Sequence, residues 1–221
     1  SAASDVYKRQ VMYSKSEGSD SMKTALFVLL DHYADWEAAY LMSLLNQREN
    51  WQVRTASNLP QVKSIGGLQT NVDFNFSQIE SNFDLLVLIG GHSWSIQSQA
   101  LYQIIEKQMD RQLPLAAICG SVDYLAQHGF LEGYKHTGNA RFLWRDFSNY
   151  QMSENFLEKQ AVCDRNLVTA NGTAVLDFTE FALHLVGDSF IEAKRAVDFY
   201  RLGYYGYQKR YSDFLTQKND S

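Results

Sequence analysis

Residues 113–129 read LPLAAICGSVDYLAQHG. The first seven carry no charge, and Pro114 sits near the start, where the missing N–H costs a strand least. The run does not alternate polar with apolar, so it reads as a strand buried on both faces. From Val122 to Gln127 the pattern changes to the start of a helix. The junction is Cys119-Gly120-Ser121. A cysteine between a buried strand and a helix, followed by glycine, has the form of a nucleophile elbow. The tight turn lifts the side chain off the sheet, and the helix N-terminus favours a thiolate. Neighbouring backbone N–H groups can meet a developing oxyanion. A small cysteine closing an apolar strand fits the same pattern, because cysteine is often fully buried.

Two similar runs flank this one. Residues 24–30 and 83–89 are continuous and apolar, with β-branched or aromatic members, and read as further buried strands. Residues 51–56 form another strand. Residues 35–46 carry Trp36, Ala39, Tyr40 and Leu44 at helical spacing, and 99–111 carry Leu101, Ile104, Ile105 and Met109. Gly66-Gly67 predicts a hairpin or bulge, 77–82 a short helix or turn, and 174–186 a helix. Asp164-Arg165-Asn166 reads as a hairpin between strands 161–163 and 167–170. Buried strands separated by helices predict an α/β fold, a three-layer sandwich with a mostly parallel central sheet. Residues 1–21 show no sustained period and no apolar centre. They are expected to be a disordered or foreign extension, with Met22 or Met12 as the natural start. The domain then spans 22–187. Residues 188–221 read as a helical, aromatic-rich extension, expected to pack on its own subunit, with a dimer contact or a partner's active site as alternatives.

Composition narrows the function. With 45% hydrophobic and 20% charged residues the chain can bury a core. A net charge of -5 argues against a dedicated nucleic-acid binder. No apolar run approaches the roughly 20 residues of a membrane span. Two cysteines, Cys119 and Cys163, make no disulfide scaffold and no CxxC, so a cytoplasmic location is expected. No His pair has a compact metal-ligand spacing, and Gly90-Gly91 is no GxGxxG fingerprint; no metal and no cofactor are expected.

In an open parallel sheet, ligands bind beyond the carboxyl ends of the strands. The polar residues there are the candidates. Glu37 stands in the first turn of the first helix, where partial burial raises a carboxyl pKa and suits it to acid–base work. A solvated carboxylate on the helix dipole is the simpler reading of Glu37 alone. Gly90, Gly91, His92 and Trp94 follow the 83–89 strand. Gly120 and Ser121 follow Cys119. Cys163 reads as structural.

Four motifs in this order carry a resemblance: MKTALFVLLDHYADWEAAYL, FDLLVLIGGHSW, LPLAAICGSVDYLAQHGFLEGYKHTGN and NLVTANGTAVLDFTEFALHLVG. Over about residues 22–187 the chain resembles the DJ-1/PfpI family of the class I glutamine amidotransferase-like superfamily. The resemblance implies a flavodoxin-like sandwich, Cys119 at the elbow, Glu37 beside it, and backbone N–H groups of Gly90 and Gly91 facing the cysteine. It also implies a homodimer. The chain departs from the pattern in three places. Many PfpI-like members have a histidine directly after the cysteine, where this chain has Gly120. DJ-1-like members have one further on, where Asn139 aligns and His136 lies three residues earlier. The amidotransferase His and Glu pair is absent after His184.

Three readings of function follow. The first is a cysteine-dependent hydrolase or lyase acting on a small carbonyl or amide. In it Cys119 attacks, Glu37 moves a proton, Gly91 and Gly120 hold the oxyanion, His92 or His136 shuttles a proton, and Trp94 walls the pocket. The second is a redox or stress-response protein that senses oxidants through Cys119. The third is a small-molecule binding module without turnover.

Overall fold

A computed structural model describes residues 21–79, 83–151 and 153–216. The expectation for residues 1–20 falls outside them. Strands are β1 (Lys23–Val28), β2 (Trp51–Ser57), β3 (Gln61–Lys63), β4 (Gln69–Asn71), β5 (Phe74–Asn75), β6 (Leu85–Leu88), β7 (Leu115–Ile118), β8 (Ala161–Asp164) and β9 (Leu167–Ala170). Helices are α1 (Asp35–Asn46), α2 (Gln99–Asp110), α3 (Gly120–Gln127), α4 (Val175–Leu185) and α5 (Phe190–Thr216).

β1 shows why the fold is layered. Ala25, Phe27 and Leu29 enter one hydrophobic core, while Leu26, Val28 and Leu30 enter a second on the opposite face. Both faces are therefore apolar, and the strand reads as an unbroken run. The first core is closed by Leu41 and Leu45 of α1, Phe178 and Ala182 of α4, and Val197 of α5. The second is closed by Leu101 and Ile105 of α2 and by Tyr124 and Leu125 of α3. The chain is an α/β sandwich with a mostly parallel central sheet, as the sequence predicts.

The strand order is β5–β2–β1–β6–β7–β9–β8. Every pair is parallel except β8 with β9, which form the hairpin around Asp164-Arg165-Asn166. β3 and β4 make a separate antiparallel hairpin across Gly66-Gly67. Of the 77–82 segment, a 3₁₀ turn at Phe76–Gln78 is seen, and residues 80–82 lie outside the described residues. The chain leaves β1 toward β2 and re-enters the sheet at β6 toward β7, so the order reverses between β1 and β6. The carboxyl ends of β1, β6 and β7 lie side by side at that switch, where open α/β sheets bind ligands.

α5 is two helices joined at Gly203, which takes φ 68° and ψ 172°. Its first half inserts Ala193 and Val197 into the core. The buried Asp198 ties the halves together: Lys194 and Arg201 contact it from the first, Arg210 and Tyr211 from the second. Arg201 also pairs with Asp177 and Glu180 of α4. A two-pronged Arg48–Asp188 pair secures the connection that precedes α5.

Candidate active site

Cys119 follows the last residue of β7 and caps α3 with φ 61° and ψ -129°. A side chain other than glycine is strained there, at a cost of about 1–3 kcal/mol. The conformation is held from three sides. The Cys119 N–H donates to the Ala170 carbonyl at 3.0 Å, and its own carbonyl accepts from Val122 at 3.0 Å. Ser121 Oγ accepts from the Ile118 N–H at 2.9 Å and lies 2.8 Å from the Leu88 carbonyl. Ser121 is fully buried, so it braces the elbow from beneath instead of lining a pocket as expected.

Glu37 reaches the sulfur from α1. Only 1% of it is exposed, among core residues of that helix. The Gly90 N–H donates to Glu37 Oε2 at 2.9 Å. The other interaction of the carboxyl is a hydrogen bond with the Cys119 thiol. Burial pushes the Glu37 carboxyl up to about 7, against the lowering pull of Gly90 and Cys119. The Gly90 N–H, which the resemblance implies faces the cysteine, is thus spent on the carboxylate beside it. Close approach explains why it is glycine: a Cβ there would stand 2.5 Å from both Cys119 Cβ and Glu37 Oε2.

The other side of the sulfur is polar. Asn139 Nδ2 donates to Cys119 Sγ at 3.3 Å, and Asn139 Oδ1 accepts from the Gly172 N–H at 2.9 Å. The Gly120 N–H also turns toward the thiol. Gly172 closes the site, since a Cβ on it would lie 2.9 Å from Sγ. No sequence motif singles out Gly172. Its signal was positional: it lies just beyond the end of β9, the strand beside β7.

Burial is the largest influence on Cys119 and pushes its thiol up; Asn139 and Gly120 pull it down, and the neighbouring Glu37 raises it further. The helix N-terminus is present, but desolvation beside a carboxyl outweighs it. Glu37 and Cys119 share protons as a pair, with the carboxyl poised near neutrality to accept one.

The histidines stand apart from this pair. His136 is fully buried; its Nδ1 contacts the Tyr134 carbonyl at 2.7 Å and its Nε2 the Tyr150 hydroxyl at 2.8 Å. It sits among Trp144, Tyr150 and Phe156, where burial lowers its pKa. His92 is exposed and stacks on His32 with ring centroids 6.3 Å apart. Among the described residues no imidazole is hydrogen-bonded to the sulfur, so a shuttle through either ring has no geometry here. Trp94 is buried, donates to the Ile89 carbonyl at 2.8 Å, and backs Gly120. Cys163 lies on β8, partly buried and with its thiol pushed up by burial. Among the described residues, no group of three or more His, Cys, Asp or Glu is placed to hold a metal ion. No helix among them is long and apolar enough to cross a membrane.

The profile of the DJ-1/PfpI family matches residues 23–187. The chain belongs to the DJ-1/PfpI family. It is 46% identical over 193 residues to a protein of Bacillus subtilis (strain 168) named uncharacterized protease YdeA, covering 87% of this chain and 98% of that one. It is 35% identical over 160 residues to uncharacterized protease YoaZ of the same organism, covering 66% and 74%. The thiJ/pfpI family protein from Bacillus anthracis superposes with a TM-score of 0.79 at 26% identity, over 89% of this chain and 98% of that one. A DJ-1 superfamily protein from Agrobacterium tumefaciens gives 0.74 at 27%, over 81% and 97%. Within this DJ-1/PfpI domain, Asn139 sets a neutral amide against the sulfur.

Proposed function

We propose that the chain is a cysteine-dependent hydrolase acting on a carbonyl or amide substrate. The observation that carries this is the Cys119–Glu37 pair: a strained elbow cysteine hydrogen-bonded to a buried carboxyl whose pKa is about 7. Two relatives named as proteases support a hydrolytic reading. Glu37 takes the thiol proton as Sγ attacks the carbonyl carbon, forming the C–S bond. The Gly120 N–H, with Asn139 Nδ2 beside it, stabilises the oxyanion. Glu37 returns the proton to the leaving amine as the C–N bond breaks. Water then attacks the thioester, Glu37 again accepting the proton, and the acid leaves with the thiol restored. No histidine is required, because the carboxyl already matches neutral pH.

The test is incubation with a panel of peptide amides, esters and small oxoaldehydes, read by product formation and by the mass of trapped acyl-enzyme. Turnover lost in Cys119→Ala and lowered at least tenfold in Glu37→Gln is the expected result. Turnover that survives Cys119→Ala sinks the reading.

A second reading draws on the same protonated carboxyl. Oxidation of Cys119 to a sulfinate would place its oxygens among Glu37, Asn139 and Gly120 as donors. Peroxide titration followed by mass measurement separates it: a stable two-oxygen adduct at Cys119 with no turnover favours sensing. A homodimer in the cytoplasm belongs to either reading, and light scattering of the purified chain checks the assembly.

A further inference from the structure

Beside Cys119 opens a cleft of about 920 Å³. Asn139 belongs to its wall and also donates to Cys119 Sγ, and Asn171, next to Gly172, lines it too. Asn139 is thus the residue that the cleft and the surroundings of the sulfur share, and Cys119 itself stands behind it. The cleft exceeds what a bare two- or three-carbon carbonyl would fill and falls in the range of about 300–1,000 Å³ that takes a larger ligand.

Its chemistry is uneven. Arg141, Arg145 and Lys159 line it against one acid, Glu158, on a chain whose net charge is -5. Arg145 is tied to the adjacent Asp146 at 3.6 Å. Arg141 and Lys159 form no ion pair among the described residues. Glu154 also acts on Tyr150, with an influence opposite in sign to that of Arg141. The floor is aromatic, with Trp144 packed edge-on against both Tyr150 and Phe156. At the rim Phe142 leaves 69% of its surface exposed.

Resting on the hydrolase reading, we infer that this cleft selects a carboxylate-bearing peptide. The scissile carbonyl lies over Asn139 at Cys119, an apolar side chain packs against Phe142 and the aromatic floor, and an acidic side chain meets Arg141 and Lys159. Unpaired cations in a concave site attract such an anion and set its register.

The experiment is calorimetric titration of the wild-type chain with C-terminally amidated acetyl-Phe-Glu-Glu and, separately, acetyl-Phe-Gln-Gln. The acidic peptide is expected to bind about tenfold tighter, the effect of two modest charge contacts. The preference shrinks on adding salt. It disappears in the Arg141→Gln, Lys159→Gln double variant; both residues are exposed, and an unchanged thermal midpoint confirms the fold. Equal affinity for the two peptides, or binding of neither, overturns the inference. The measurement needs no turnover, so it is independent of the nucleophile. Iodoacetamide labelling of Cys119 reads that separately. An acidic preference without a reactive cysteine supports the cleft and removes the hydrolase. A reactive cysteine without the preference does the reverse.

Discussion

Glu37 and Cys119 meet across a single glycine: a Cβ built on Gly90 would touch Glu37 Oε2 and Cys119 Cβ at the same 2.5 Å. The two side chains thus pack against a position that leaves no room for a Cβ. Gly90→Ala should push the pair apart, cost about 1–3 kcal/mol from overpacking, and abolish turnover. Thermal unfolding with an activity assay checks it; an active and fully stable variant would contradict the packing.

Glu37 also makes stability depend on pH. Its folded pKa of about 7 lies above the ordinary value of 4.5. The folded state therefore holds a proton that the unfolded state has released between these limits. The contribution of Glu37 is fully present below about pH 4.5 and is lost as pH rises through 7, by up to about 3 kcal/mol. Glu37→Gln should flatten this slope. It should also lower the pH midpoint for iodoacetamide labelling of Cys119, because the carboxylate that opposes the thiolate is gone.

Cys119 carries strain that glycine would not. Cys119→Gly should lose all turnover yet unfold at a higher temperature, since relief of about 1–3 kcal/mol exceeds glycine's unfolded-state entropy of about 1 kcal/mol. A lower melting temperature in this variant would show that the elbow is unstrained.

Asn139 is the donor that steadies negative charge on sulfur. Asn139→Leu should slow iodoacetamide labelling of Cys119 at fixed pH by about tenfold, the effect of one hydrogen bond to a charged group. Labelling of Cys163 in the same sample is the internal control. Equal loss at both cysteines would indicate a general change of structure instead.

Asp198 holds the two halves of α5. Burial opposes its charge, but hydrogen bonds from Tyr211, Lys194 and Arg201 prevail and keep its carboxyl below the ordinary range. Asp198→Ala leaves these cations without their shared partner and should cost about 3 kcal/mol. Hydrogen exchange should localise the loss to α5. In the wild type the stability that this depressed pKa represents is lost as pH falls through it.

Local pattern carried much of the molecule. Residues 24–30, 83–89 and 113–119 show in their unbroken apolarity that helices must cover both faces, and the junction at Cys119 shows an elbow before any coordinate is known. Glu37 was legible through its place after the first strand, and four ordered motifs joined it to Cys119. Residues 140–160 were not legible. Trp144 is completely buried there, in a segment with no helical or strand period, because its burial depends on Asp123 and His136 reaching it from earlier in the chain.

The identity of the elbow, the layering and the parallel sheet follow from sequence alone, because strand burial and helix periodicity are properties of neighbours along the chain. Tertiary structure decided which groups touch the sulfur. Asn139 and Gly172 reach it from loops 20 or more residues away, while His136, three residues from Asn139, turns into an aromatic core. It also set the direction in which the thiol's pKa is pushed. A pKa is set by the solvent excluded and the charges gathered around a group, and both are made only when distant segments pack together.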